Sequence, residues 1–208
     1  MINPQIFLMV IPFLTAVVFH EVSHGYVAYK LGDNTAKFAG RLTLNPIAHI
    51  DLFGTIILPL ILIITHSPIL FGWAKPVPVN FFALRNPKRD SAIVAAAGPS
   101  ANIILAILFA AIYKIAVFLP IPPAIAQPLI LTGIYGVQLN LLFAFFNLIP
   151  ILPLDGGRIL AAFLPPKWAY NFEKIEPYGI YIVIGLLFLG VFDFIFYAIV
   201  NPLANLLL

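Results

Sequence analysis

The chain has 208 residues, 62% hydrophobic and 9% charged, whereas an ordinary globular domain is about a quarter charged, so a soluble globular protein is excluded. With no cysteine, thiolate metal sites and disulfides are excluded too, and any metal must be held by His, Asp, Glu or Asn. The net charge is +3, but the 11 Lys and Arg are scattered through the intervals between apolar runs, which argues against nucleic acid as a partner.

The first apolar run, residues 6 to 31, is long enough to span a bilayer as one helix at about 1.5 Å per residue. Pro12 is a potential kink within it, and Gly32-Asp33-Asn34 stops it. Met1 to Gln5 carry no basic residue and no small-residue cleavage site follows, so a retained helix is expected rather than a signal peptide. Inside this run lies His20-Glu21-Val22-Ser23-His24. On a helix, His20 and His24 share one face a turn apart, where both imidazoles can reach one cation. Glu21 projects about 100° away around the helix, within reach of a water activated by that cation. Three ionisable groups in a membrane segment are costly, which makes chance spacing a poor explanation.

Beyond the helix, the half-alternating stretch Lys37 to Leu44 permits a short strand or an interfacial loop. A second apolar run, 52 to 71, is interrupted by Pro59 and by Thr65-His66-Ser67-Pro68, so it either spans or enters and leaves on one side. Charge separates the two: the re-entrant arrangement gathers ten of the eleven basic residues on one face, leaving Lys114 near the other. Gly72 to Asn80, with alternating prolines, must be extended. It is either a plain connector or an edge on which a substrate backbone pairs. Ala95 to Asn102 is a small-residue patch suited to close helix approach, with Pro99 as a kink and Asn102 as a polar group in need of a partner.

The runs 92 to 119 and 129 to 149 cross out and back, joined by a loop without charge. The second ends in Asn147-Leu148-Ile149-Pro150-Ile151-Leu152-Pro153-Leu154-Asp155-Gly156-Gly157-Arg158, where prolines and glycines break the helix around one carboxylate. Asp155 either caps a helix beginning at Gly156 or is a third metal ligand; two His and one carboxylate leave an open fourth position for water, as in catalytic zinc sites. Asn147 is placed to donate to a substrate carbonyl, or to bond a neighbouring backbone. The tail from Tyr178 is one long tilted helix or a short hairpin. The expected architecture is a single domain over 1–208: an all-α polytopic membrane protein of about four to six membrane segments, with a re-entrant or extended loop region and a broken helix at the active site.

HEVSH at 20 to 24, AGPSAN at 97 to 102 and NLIPILPLDGG at 147 to 157, supported by LTLNPIAHID at 42 to 51 and GWAKPVPVN at 72 to 80, carry a resemblance. The chain resembles the site-2 protease family of intramembrane zinc metalloproteases, in a compact bacterial or archaeal form. The resemblance implies that His20, His24 and Asp155 ligate Zn2+, that Glu21 is the general base, and that Asn147 assists. It also implies an active centre in the cell membrane toward the cytosol, surrounded by lipid, that cleaves transmembrane segments of other proteins in regulated intramembrane proteolysis. No PDZ domain lies between the first helix and AGPSAN, and no CBS pair follows, so the gating and nucleotide sensing of larger relatives do not carry over. A rival reading is a small metal-ion or proton transporter using His20, His24, His49 and Asp155, although no inverted repeat is evident and the place of Glu21 goes unexplained. A third is an inactive binder of membrane segments. His49, beside Asp51, is an interfacial loop histidine or a group supporting a metal ligand, and His66 has no assigned role.

Overall fold

The computed structural model describes residues 5–65 and 74–208. His66, the end of the second apolar run and Gly72-Trp73 lie outside the described residues. Among the described residues ten α-helices follow in order: α1 Gln5–Lys30, α2 Thr35–Phe38, α3 Leu58–Ile64, α4 Pro87–Phe118, α5 Pro123–Asn147, α6 Asp155–Phe163, α7 Pro166–Glu173, α8 Gly179–Phe188, α9 Val191–Ile195 and α10 Asn201–Leu207. Among the described residues there is no strand: Lys37 and Phe38 close the short helix α2, which was not expected, and only Ala39 to Leu44 takes the loop alternative.

Among the described residues three helices are long and apolar enough to cross a bilayer: Phe7–Lys30, Pro87–Phe118 and Pro123–Asn147. A fourth span results if Pro166–Phe188 and Val191–Leu207, bent by 68°, count as one. Among the described residues that total is consistent with the expected all-α polytopic architecture, at the lower end of four to six segments. The described part of the second apolar run is a π-helical turn, Leu52–Ile57, that leads into α3. At 7 residues, α3 is about 10 Å long, too short to cross.

Local chemistry sets the ends of the long helices. Pro87, Pro123 and Pro166 open α4, α5 and α7, where a missing N–H costs nothing and the fixed φ suits the first turn. The buried Asp90 carboxylate accepts the Asn86 N–H at 2.9 Å and so closes the start of α4. At the end of α1, Gly32 takes a left-handed φ of +118°, and the Leu31 carbonyl accepts the Arg85 N–H at 3.0 Å, which holds the entry to α4 beside the exit from α1.

The α4/α5 pair is the centre of the molecule. α4 packs against α1, α5 and α6, while α1 also meets α5. The core on their far side consists of Leu105, Ala106, Phe109, Val137 and Leu141, closed by Ile195, Val200 and Ala204 from the tail. The tail is not one straight helix: Gly190, at φ +74°, breaks it between α8 and α9 with a 68° bend, and α9 and α10 pack against α5.

The irregular segments are tied to the same end of the bundle. Asp33, fully buried, accepts the Thr35 N–H at 2.9 Å on one oxygen and the Asn80 N–H at 2.7 Å on the other. His49 is buried in a 3₁₀ turn and donates through Nε2 to the Thr43 carbonyl at 2.8 Å, while its own carbonyl accepts the Lys75 N–H at 3.0 Å. It is a loop histidine, but one that staples the loop from within. Arg41 donates to the Lys75 carbonyl at 2.9 Å and Lys88 to the Leu164 carbonyl at 2.8 Å. Arg158 of α6 pairs with Glu176 and lies 4.7 Å from the centroid of the Phe81 ring. Residues 30–51, 74–89 and 155–176 are thus linked at one end of the bundle.

Candidate metal centre

His20 and His24 project from one face of α1, with ring centroids 4.6 Å apart and planes at 85°. Their Nε2 atoms are 3.0 Å apart. The Asp155 carboxylate closes the triangle, with Oδ2 at 3.1 Å from Nε2 of His20 and Oδ1 at 3.3 Å from Nε2 of His24. The three ligand atoms all lie within 4.8 Å of one another. Counting back from Lys30 at 1.5 Å per residue, the pair sits roughly 9 to 15 Å inside the end of the helix, at membrane depth.

Two backbone approaches make this convergence possible. α4 crosses α1 at Gly98, where an added Cβ would stand 2.4 Å from Nε2 of His24 and 2.6 Å from Cε1 of His20. The small-residue patch of the sequence is therefore more than a packing surface: both imidazoles lie on it. The second approach delivers the carboxylate. α6 begins at Asp155 itself, with Leu154 as its N-cap and no side-chain capping bond, so the capping alternative for Asp155 is not realised. A Cβ at Gly156 would come within 2.2 Å of the Leu148 carbonyl oxygen, so only glycine lets the first turn of α6 nest against the end of α5.

The protonation of the rings follows from their outer partners. Nδ1 of His24 is 2.7 Å from the Val94 carbonyl, which can only accept, so Nδ1 carries the hydrogen. Nδ1 of His20 is 2.7 Å from Oδ1 of Asn102 and donates in the same way. In the neutral rings both Nε2 atoms then present bare lone pairs toward the carboxylate, and at 3.0 Å the two Nε2 atoms cannot both hold a proton. Asp155 Oδ2 is buried and has no hydrogen-bond partner among the described residues. Three lone-pair donors converging without a donor hydrogen fit a cation, and two imidazoles with one carboxylate fit Zn2+ with an open fourth position. Nδ1–H bonds to an amide oxygen and a carbonyl are the outer support that metal-ligating histidines require.

The two remaining predicted residues stand apart from the triangle. Glu21, half-buried, accepts the Val77 N–H through Oε2 at 2.7 Å and is not one of the converging ligands. Asn147, the last residue of α5, donates through Nδ2 to the Phe143 carbonyl at 3.0 Å, one turn back in its own helix. No hydrogen bond joins it to the cluster among the described residues. His49 is not in the cluster either. Sequence reasoning missed Gly98, the Val94 carbonyl and the Val77 N–H. It noticed Asn102 only as a polar group without a partner.

Comparison with known proteins identifies the family. The family model for peptidase family M50 matches residues 8–134 and 122–190. A Bacillus subtilis (strain 168) protein named "Putative zinc metalloprotease YwhC" is 41% identical over 182 residues, covering 86% of this chain and 79% of the relative. One from Mycolicibacterium smegmatis, "Putative zinc metalloprotease Rip2", is 28% identical over 183 residues, covering 88% of this chain and 67% of the relative. The Methanocaldococcus jannaschii protein "Zinc metalloprotease MJ0392" is 30% identical over 155 residues, 74% of this chain but 34% of that protein's length. No solved structure gives a significant match. Matched along most of its length, and carrying the two histidines and the carboxylate on membrane-length helices and a helix break, the chain belongs to peptidase family M50, the site-2 protease family of intramembrane metalloproteases.

Proposed function

We propose that residues 1–208 form one intramembrane domain in the cell membrane that hydrolyses peptide bonds in or near transmembrane segments of other proteins, with His20, His24 and Asp155 holding Zn2+. The observation that carries this reading is the convergence of those three groups on a membrane-length helix and a helix break, with Glu21 next to His20 along α1 but outside the ligand group. Bound there, Zn2+ supplies Lewis acidity, polarising a carbonyl and lowering the pKa of water toward about 7. The carboxylate of Glu21 takes a proton from the attacking water and returns it to the departing amine. Its bond to the Val77 N–H fixes one oxygen and leaves the other for that proton.

Asn147 donates an amide hydrogen to the carbonyl oxygen as that atom gains charge; the amide has two hydrogens, and the Phe143 carbonyl takes one. Asn147→Asp keeps the size and removes the donor. Its kcat is expected to fall about 10²-fold with zinc content unchanged; an unchanged kcat would remove Asn147 from the mechanism.

The extended segment beyond Ala74 supplies the edge on which an unwound substrate pairs. The basic residues gathered at the α1 exit, the α4 entry and α6 support a cytosolic location for this end under the positive-inside rule. The decisive experiment uses purified protein in liposomes with a membrane-embedded substrate. Cleavage stops when a chelator removes the metal and returns when Zn2+ is added. Metal-dependent ion flux without proteolysis would instead support the transporter reading.

A further inference from the structure

Asn102 is fully buried and touches three helices at once. Its Nδ2 donates to the Ala16 carbonyl of α1 at 3.0 Å and to Oδ1 of Asn140 on α5 at 3.0 Å, while its Oδ1 faces Nδ1 of His20 at 2.7 Å. Asn140, also fully buried, donates through Nδ2 to the Gly136 carbonyl at 2.9 Å. Two amides away from water are costly unless their hydrogen bonds are made, and here they are made to one another and to backbone. The mechanism described above uses neither of them.

The direction of this chain is fixed by its ends. The Gly136 carbonyl only accepts, so Asn140 must turn its NH2 toward it and its oxygen toward Asn102. The Ala16 carbonyl only accepts, so Asn102 must turn its NH2 toward both Ala16 and Asn140. Its oxygen is then left for His20, and Nδ1 of that ring must supply the hydrogen. The lone pair of His20 is thereby driven onto Nε2, the atom that faces Asp155 and His24. A flipped Asn102 amide would set its oxygen against both the Ala16 carbonyl and Oδ1 of Asn140, two repulsions in place of two bonds.

We infer that Asn102 is a positioning residue for the metal site, selecting the Nδ1–H tautomer of His20 and holding its ring toward the cation, with Asn140 orienting Asn102 in turn. The inference rests on the zinc reading of the cluster. Loss of an outer partner of a metal-ligating histidine typically weakens metal binding about 10–100-fold. Asn102 and Asn140 also allow a plainer role, since a polar pair between helices is a common membrane glue. The two roles separate experimentally. Asn102→Ala and Asn140→Ala remove the same bond between α4 and α5, but only Asn102→Ala removes the partner of His20.

The experiment measures zinc affinity by chelator competition for wild type and both variants, alongside their melting in the metal-free form. Asn102→Ala is expected to lose about 10–100-fold in zinc affinity and Asn140→Ala clearly less, with similar melting. Equal losses for the two, or wild-type affinity for Asn102→Ala, overturn the inference. Metal-free wild type labelled with ¹⁵N-histidine gives a second readout that needs no variant: His20 is expected to carry its hydrogen on Nδ1, and a hydrogen on Nε2 overturns the assignment. Wild type that takes up no zinc at all sinks the zinc reading itself, an outcome distinct from wild type that binds and variants that match it.

Discussion

Glu21→Gln protein is expected to bind zinc as the wild type does and to lose cleavage by at least about 10²- to 10⁴-fold, the usual weight of a general acid–base group. The substitution is nearly isosteric, and the amide oxygen still accepts the Val77 N–H, so the extended segment keeps its place on α1. Glu21 is outside the group of converging ligands, so the metal does not depend on it. What disappears is the capacity to take a proton from water and hand it to the leaving nitrogen. The check is a cleavage rate on a membrane substrate together with zinc measured per chain. A variant that keeps its zinc and cleaves at near wild-type rate shows that another group is the base.

Asp155→Ala should act one step earlier, on the metal itself. It leaves two imidazoles with no charge between them to balance a dication, and it opens the side of the triangle that α6 closes. Zinc affinity is expected to fall by well over the 10–100-fold that accompanies loss of an outer partner, roughly 10³-fold or more, and cleavage with it. Asp155→Asn is the companion variant. It keeps the packing of the first turn of α6 but substitutes a neutral, weak ligand, so it too should bind zinc poorly while melting like the wild type without metal. Equilibrium dialysis against buffered zinc reads both. If either variant holds zinc at the wild-type affinity, the third ligand lies elsewhere.

The parts of the site that could be read along the chain are those governed by local periodicity. His20 and His24 share a face because 3.6 residues make a turn, and the broken run after Asn147 marked Asp155 because prolines and glycines there free the chain from its helix. Gly98 and Asn102 were visible as residue types but not as parts of a metal site. Their meaning depends on the point at which α4 crosses α1, and no local pattern encodes that crossing. The same limit applies to the architecture. Hydropathy gave the long helices nearly in register, but it counts apolar length and not where a chain turns back. The second apolar run therefore read as either a crossing or a re-entrant segment, with the loop charges favouring the latter, and its described part is a π-helical turn and a short helix. The tail read as one helix or two because Gly190 has no side chain to announce a left-handed φ.

The bond between Glu21 and the Val77 N–H has one more implication. Val77 lies between Pro76 and Pro78, neither of which has an N–H, and its own N–H is turned inward onto the carboxylate. The stretch 76–78 thus has carbonyl acceptors but no free N–H donor to offer a partner strand. Such an edge is mute toward a second copy of itself, because two rows of carbonyls repel. It is equally mute toward an intact helix, whose N–H groups are all engaged within the helix. A segment that pairs along this stretch must bring free N–H groups of its own, which an unwound chain has and an intact helix lacks.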